Sequence, residues 1–203
     1  MKLFHSPASP FVRKVLVVAH ERGLAGQIET VGVGVTPVST PAEVAGANPL
    51  GKIPALILDD GSTLFDSRVI CEYLDTLGSG PALFPAPGPQ RWAALRRQAT
   101  ADGMTDAGIL CRYERAIRPA EKQWDGWVDG QMGKVTRALD ALEAEAKAGA
   151  LAGFDIGAIS IACAIGWFDF RMPELGWRTS RPALAAWLAG LASRPSLAAT
   201  APR

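Results

Sequence analysis

The chain has 203 residues, 48% of them apolar and 7% aromatic, which excludes a disordered polypeptide and leaves room for one large domain or two small ones with a real core. Lys and Arg number 21 against 20 Asp and Glu, giving a net charge of +1. The two signs are interleaved rather than blocked, and the basic excess of a nucleic-acid protein is absent.

The first third alternates strand and helix signals. Lys2 to His5 reads as a short strand. Pro10 opens a helix in which Val12, Val15, Leu16 and Ala19 form one apolar face, closed by Gly23. Gln27 to Val33 alternates like a strand, and Thr36 to Asn48 allows only a short irregular helix. Ile53 to Leu58 is a strand, Asp59 to Ser62 a hairpin turn, and Thr63 to Phe65 its partner. Ser67 to Leu77 is helical, with Ile70, Tyr73, Leu74 and Leu77 on one face. A βαβ unit followed by ββα predicts parallel strands with an added antiparallel hairpin, a thioredoxin-like arrangement with a mixed four-stranded sheet.

Residues 78–89 (GSGPALFPAPGP) form a linker, and the remaining residues, 90–203, read as an all-α helical bundle. The predicted helices are Gln90 to Ile117, Glu121 to Lys147 with the stripe Val128, Met132, Val135, Leu139 and Leu142, and one opening at Phe154-Asp155 that is apolar nearly all round. The last is Arg181 to Ala192. The all-apolar helix belongs at the bundle centre. Its run Ile156 to Phe168 is too short to span a bilayer, and Arg13 and Lys14 interrupt the only apolar N-terminal stretch, so a cytoplasmic protein without a membrane association is expected. Cys71, Cys111 and Cys163 make no CxxC and no Cys/His cluster, so no metal site is expected.

Three short segments carry possible chemistry. Ser9 precedes a proline at a first helical position, so it is an N-cap; it either caps alone or also donates its hydroxyl to an anion at the positive helix end, where a thiolate is favoured. No His or Asp stands nearby to make it a nucleophile. Ile53-Pro54 is either a plain strand start or a cis bond that leaves the Ile53 backbone open to pair with an extended peptide. Asp66-Ser67 caps a helix, and the free amides there with the Ser67 hydroxyl suit a carboxylate, while Asp66 suits an α-ammonium group. Together they describe a clamp for a short peptide with an amino-acid end at Asp66-Ser67 and a thiol at Ser9.

SPFVRKV (9–15), NPLGKIPAL (48–56), LFDSRVICEYLD (64–75) and FDIGAISIACAIGWFDFR (154–171) resemble bacterial cytosolic glutathione S-transferases, and the similarity runs over essentially the whole chain. The resemblance implies a thioredoxin-like glutathione-binding domain at 1–77, the linker, an all-helical domain contributing the electrophile pocket, a cis-proline and a homodimer. It gives Ser9 the role of stabilising the glutathione thiolate, Ile53 before Pro54 the cysteinyl backbone, Asp66 and Ser67 the γ-glutamyl end, and Lys52 the glycyl carboxylate. Arg13 is either structural or a source of positive potential. The electrophile pocket is expected at Pro7, Ala8, Phe11, Met104, Ala107, Gly108 and Cys111. The family's Ser/Thr-x-x-Asp box is reduced here to Asp155 with Ala158 three residues on, so only half of it forms. The expected activity is transfer of the glutathione sulfur to a small hydrophobic electrophile. Glutathione-dependent peroxide reduction, dehalogenation and a non-catalytic binding module are the alternatives.

Overall fold

The computed structural model describes residues 1–203, which fall into two units, Met1–Arg91 with Arg194–Arg203, and Trp92–Ser193. In the first, β1 (Lys2–His5), α1 (Pro10–Glu21), β2 (Glu29–Gly32), α2 (Ala42–Ala47), β3 (Leu56–Ile57), β4 (Thr63–Leu64) and α3 (Ser67–Leu77) follow in order. The sheet runs β2-β1-β3-β4, with β1 parallel to β2 and β3 antiparallel to both β1 and β4. This is the expected mixed four-stranded sheet with helices. β3 is much shorter than the predicted run from Ile53, because Pro54 has no N–H to donate to a ladder. The Ala55 carbonyl, accepting from Phe4 N at 3.0 Å, extends the pairing toward Pro54, and Leu58 N, donating to Ser62 O at 2.8 Å, extends it at the hairpin. The Ile53-Pro54 bond is cis, as expected.

Successive residues of β1 face opposite sides of the sheet. Phe4 joins Val44 and Ala47 of α2 and Ala55 in one cluster. α1 and α3 pack together through buried residues that include Val15 and Val18 of α1 and Ile70, Cys71 and Leu74 of α3. Val17 and Val18 of α1 are buried and Leu16 only partly, so more than the predicted face is covered. The reason lies in the C-terminus. Residues 194–203 were expected in the helical domain, yet they belong to the first unit, where α9 (Pro195–Ala199) packs on α1. Arg13 Nη2 donates to Leu197 O at 3.2 Å, and Arg194 Nη2 and Ser196 Oγ donate to the Glu21 carboxylate at 2.8 and 2.5 Å. Arg13 thus has a structural task.

Arg22, just past α1, is almost fully buried. Its Nη1 donates to Gly80 O and Pro81 O (2.5 and 2.7 Å), and its Nη2 to Asp75 O and Gly78 O (2.9 and 2.6 Å). Nε lies 3.1 Å from Asp75 Oδ1 as an ion pair without hydrogen-bond alignment. The Asp75 carboxylate accepts in turn from Leu83 N and Phe84 N at 2.9 and 3.0 Å. The expected linker is therefore pinned at its start.

The second unit contains α4 (Pro89–Ala116) from Trp92 onward, α5 (Asp125–Lys147), α6 (Ile156–Arg171), α7 (Trp177–Ser180) and α8 (Pro182–Gly190). α6 is buried at nearly every position, as its apolar sequence predicts. Asp155 caps it, accepting from Ala158 N at 2.9 Å, the half of the capping box expected. α4 and α6 touch at two glycines: a Cβ on Gly157 would meet Ala94 O at 2.8 Å, and one on Gly108 the Phe168 ring at 2.7 Å. Val135, Leu139 and Leu142 of α5 join the same core. α8 ends before the predicted Ala192, and it lacks its own side-chain cap. Buried Glu143 of α5 replaces it, accepting from Ala183 N and Leu184 N at 3.3 and 2.7 Å.

Removing one partner of a buried ion pair leaves an uncompensated charge and costs about 3–5 kcal/mol. Arg22→Met is accordingly expected to lower the urea midpoint strongly, and an unchanged midpoint would show that the network is dispensable. Burial opposes ionisation of Glu21, but hydrogen bonds from Arg194 and Ser196 outweigh it and hold the carboxyl below its ordinary 4.5. A carboxyl that is more acidic folded than unfolded contributes stability above pH 4.5 and loses it as pH falls through its folded value. Melting temperatures of wild type and Glu21→Gln are expected to differ at neutral pH and converge in acid.

Candidate functional site

The strand register brings the three suspect segments to one end of the sheet. Leu3 pairs with Leu56, and Leu56 with Leu64. The chain therefore leaves β1 toward Ser6–Ser9, enters β3 from Ile53-Pro54, and leaves β4 toward Phe65–Ser67 at that same end. Three segments far apart in sequence meet because β3 runs antiparallel to both neighbours.

Ser9 is the N-cap of α1, its Oγ accepting from Val12 N at 3.3 Å. Its N–H donates to Ser6 O at 3.0 Å, which fixes the turn. Since Oγ serves as an acceptor toward the helix, its own hydrogen remains available to donate outward. Pro10 has no N–H, and the amide of Phe11 has no partner in the chain, so the positive end of α1 is open beside the hydroxyl. No carboxylate lies in the first turn to cancel it. His5, at the end of β1, has its pKa lowered from 6.5 by burial and then by the charge of Arg203, so its imidazole is neutral at neutral pH.

Ile53 is half-buried, and neither its N–H nor its C=O is hydrogen-bonded within the chain. Asp66 caps α3, its Oδ1 accepting from Arg68 N at 2.9 Å. The amides of Ser67 and Val69 and the Ser67 hydroxyl have no partner in the chain, although Ser67 is largely buried. Lys52 is exposed, with no carboxylate paired to its ammonium group. Each peptide-clamp residue thus presents polar atoms that the fold leaves unmatched, and such atoms suit a polar ligand better than an apolar one.

One residue of this edge was missed in the sequence. Asn48, 2% exposed, donates from Nδ2 to Lys52 O at 2.8 Å and accepts from Leu50 N at 3.0 Å. It holds the loop that presents Lys52 and Ile53. Gly51 in that loop has φ 62°, and a Cβ there would meet Thr40 Cγ2 at 2.9 Å. The signal was present, since Asn before Pro with Gly two residues on is turn chemistry.

The second unit has a pocket of about 400 Å³ whose lining includes Cys111, Arg112, Arg115, Val128, Met132 and Arg171. That volume lies within the range of about 300–1,000 Å³ of small-molecule sites. Of the four residues expected from this unit in an electrophile pocket, only Cys111 lines it. Met104 and Ala107 are buried in the helical core, and Gly108 is covered by the rings of Phe168 and Trp167. α4 turns Gly108 toward α6, whose apolar surface must be covered. Burial pushes the Cys111 thiol above its ordinary 9.0, against the opposing charge of Arg115, so it is a neutral wall group. Of the residues expected in the first unit, Pro7 is exposed while Ala8 and Phe11 are half-buried.

The family model for the glutathione S-transferase N-terminal domain matches residues 8–77, and that for the C-terminal domain matches 125–190. An uncharacterised GST-like protein, YibF of Escherichia coli K12, is 36% identical, with 100% of this chain and 98% of that protein aligned. A glutathione transferase family member from Pseudomonas fluorescens Pf-5, solved with bound glutathione, is 51% identical with a TM-score of 0.97, covering 100% of this chain and 98% of that one. A second structure described in the same terms, holding S-(propanoic acid)-glutathione, is 50% identical with a TM-score of 0.92 and full coverage of both chains.

Asn48→Ala leaves the Leu50 amide without its acceptor and the Lys52 carbonyl without its donor. An unsatisfied buried group costs about 1–3 kcal/mol. Faster hydrogen exchange at Leu50 and a lower melting temperature are expected, and protection equal to wild type would refute the role of Asn48.

Proposed function

The chain belongs to the glutathione S-transferase family, and from that we propose that it binds glutathione at the end of the sheet and transfers its sulfur to a small hydrophobic electrophile. The observation that carries this is the set of unmatched polar atoms at Ser9, Ile53 and Ser67, which the register brings to one end of the sheet. The Ile53 backbone pairs with the cysteinyl residue of glutathione as a short added strand. The Ser67 hydroxyl and the open amides of α3 hold the γ-glutamyl carboxylate, and Asp66 its ammonium group. Lys52 reaches the glycyl carboxylate.

Held this way, the thiol faces Ser9. A free thiol ionises near pH 8.5, and a hydroxyl donor at an open helix N-terminus favours the thiolate. With an activated aryl chloride, the thiolate sulfur attacks the ring carbon, the C–S bond forms, the C–Cl bond breaks and chloride leaves. The thiol proton goes to solvent. The bound S-(propanoic acid)-glutathione of the Pseudomonas fluorescens relative is a thioether, the bond class this step makes. The same reading includes a homodimer acting in cytoplasmic detoxification. None of the protein's helices is long and apolar enough to cross a membrane.

Ser9→Ala removes the thiolate donor and one cap, a loss of about 1 kcal/mol of stability. Conjugation of 1-chloro-2,4-dinitrobenzene is expected to fall about tenfold or more while circular dichroism stays native, since hydrogen bonds to charged groups are worth about 1.5–3 kcal/mol. Unchanged turnover would overturn the role of Ser9. Oxidised glutathione from a peroxide, in place of thioether from an electrophile, would assign the same site to peroxide reduction. Ser67→Ala is expected to weaken glutathione binding by about tenfold in calorimetry. Sedimentation at twice the chain's mass would support the dimer.

A further inference from the structure

The pocket of the helical unit has an electrostatic character that apolar electrophiles do not need. Val128, Met132, Met172 and Leu175 supply an apolar wall. Three guanidiniums, Arg112, Arg115 and Arg171, also line it, with Glu174 as the one carboxylate. Arg115 is matched outside this set, by Asp125 at 2.6 Å. Arg112 and Arg171 have no carboxylate partner, and both are half-buried. Arg171 lies over the Phe170 ring, 4.3 Å from its centroid. With Arg115 neutralised, two guanidiniums face one carboxylate, and the pocket keeps one net positive charge.

Unpaired guanidiniums of like charge at a partly dry wall are unfavourable unless an anion joins them. Burial and then the charge of Arg112 lower the Arg171 pKa, so the two feel each other. Arginine is suited to this task, because its planar fork meets a carboxylate with two parallel hydrogen bonds. A single net charge beside an apolar wall fits a monoanion with a hydrophobic body better than a polyphosphate.

We propose that this pocket binds small aromatic or aliphatic carboxylates, with Arg112 and Arg171 as the carboxylate clamp. Cys111 and Met132 contact the hydrophobic body, and the neutral Cys111 thiol takes no part in bond making.

The experiment is calorimetry of 3-nitrobenzoate, with its methyl ester as the uncharged control, on wild type, Arg112→Gln and Arg171→Gln proteins of native circular dichroism. Binding of the acid to wild type is expected to weaken about tenfold in each Gln variant, the worth of a charge-assisted hydrogen bond. Arg112→Lys keeps the charge without the fork and should fall between. No binding of the acid at millimolar ligand, equal binding to all three proteins, or ester binding as tight as that of the acid overturns the clamp.

Discussion

Arg22 ties together the C-terminal ends of α1 and α3, the two helices whose N-terminal ends are capped by Ser9 and Asp66. It follows α1 directly, and its guanidinium spans four carbonyls from Asp75 to Pro81, while Asp75 holds the amides of Leu83 and Phe84. A helix N-terminus positions an anion only as well as the helix itself is held. α1 carries Ser9 at its start and Arg22 at its end, and α3 carries Asp66 and Asp75 in the same sense. Locking both ends at once holds the two positive helix ends at one angle to each other. The cost of burying a charge is met by four acceptors, so the network holds one geometry rather than several.

The sheet end that carries Ser9, Ile53 and Ser67 is built from omissions. Pro54 and Pro10 lack N–H groups, and Ile53, Phe11 and Ser67 keep polar backbone atoms that no part of the chain satisfies. A fold selected for stability alone would pair them, since buried polar groups are normally matched. Asn48 works in the opposite way: its side chain is matched by Lys52 O and Leu50 N, while the neighbouring Ile53 keeps its backbone polar atoms unmatched.

The helical unit follows a different logic. Gly108 and Gly157 let α4 and α6 approach closely, and Met104, Ala107 and Gly108 are buried there. A pocket lies further along the same elements, where the apolar stripe of α5 begins with Val128 and Met132 and meets Arg112, Arg115 and Arg171.

The sequence by itself determined the order of elements, the all-helical second half, and the cap residues Ser9, Asp66 and Asp155. These are local properties, since periodicity, proline and capping act within a few residues of the chain. α3 was legible to the residue, because Asp66 starts it and Gly78 ends it. Only the tertiary structure decided that residues 194–203 return to α1, that Arg22 and Asp75 pair, that Glu143 caps α8, and that Arg112 and Arg171 share a pocket. Each of these joins residues from 40 to 184 positions apart. No local pattern marks such a partner, because a side chain's charge is written in the sequence while what it faces is set by the packing of distant elements.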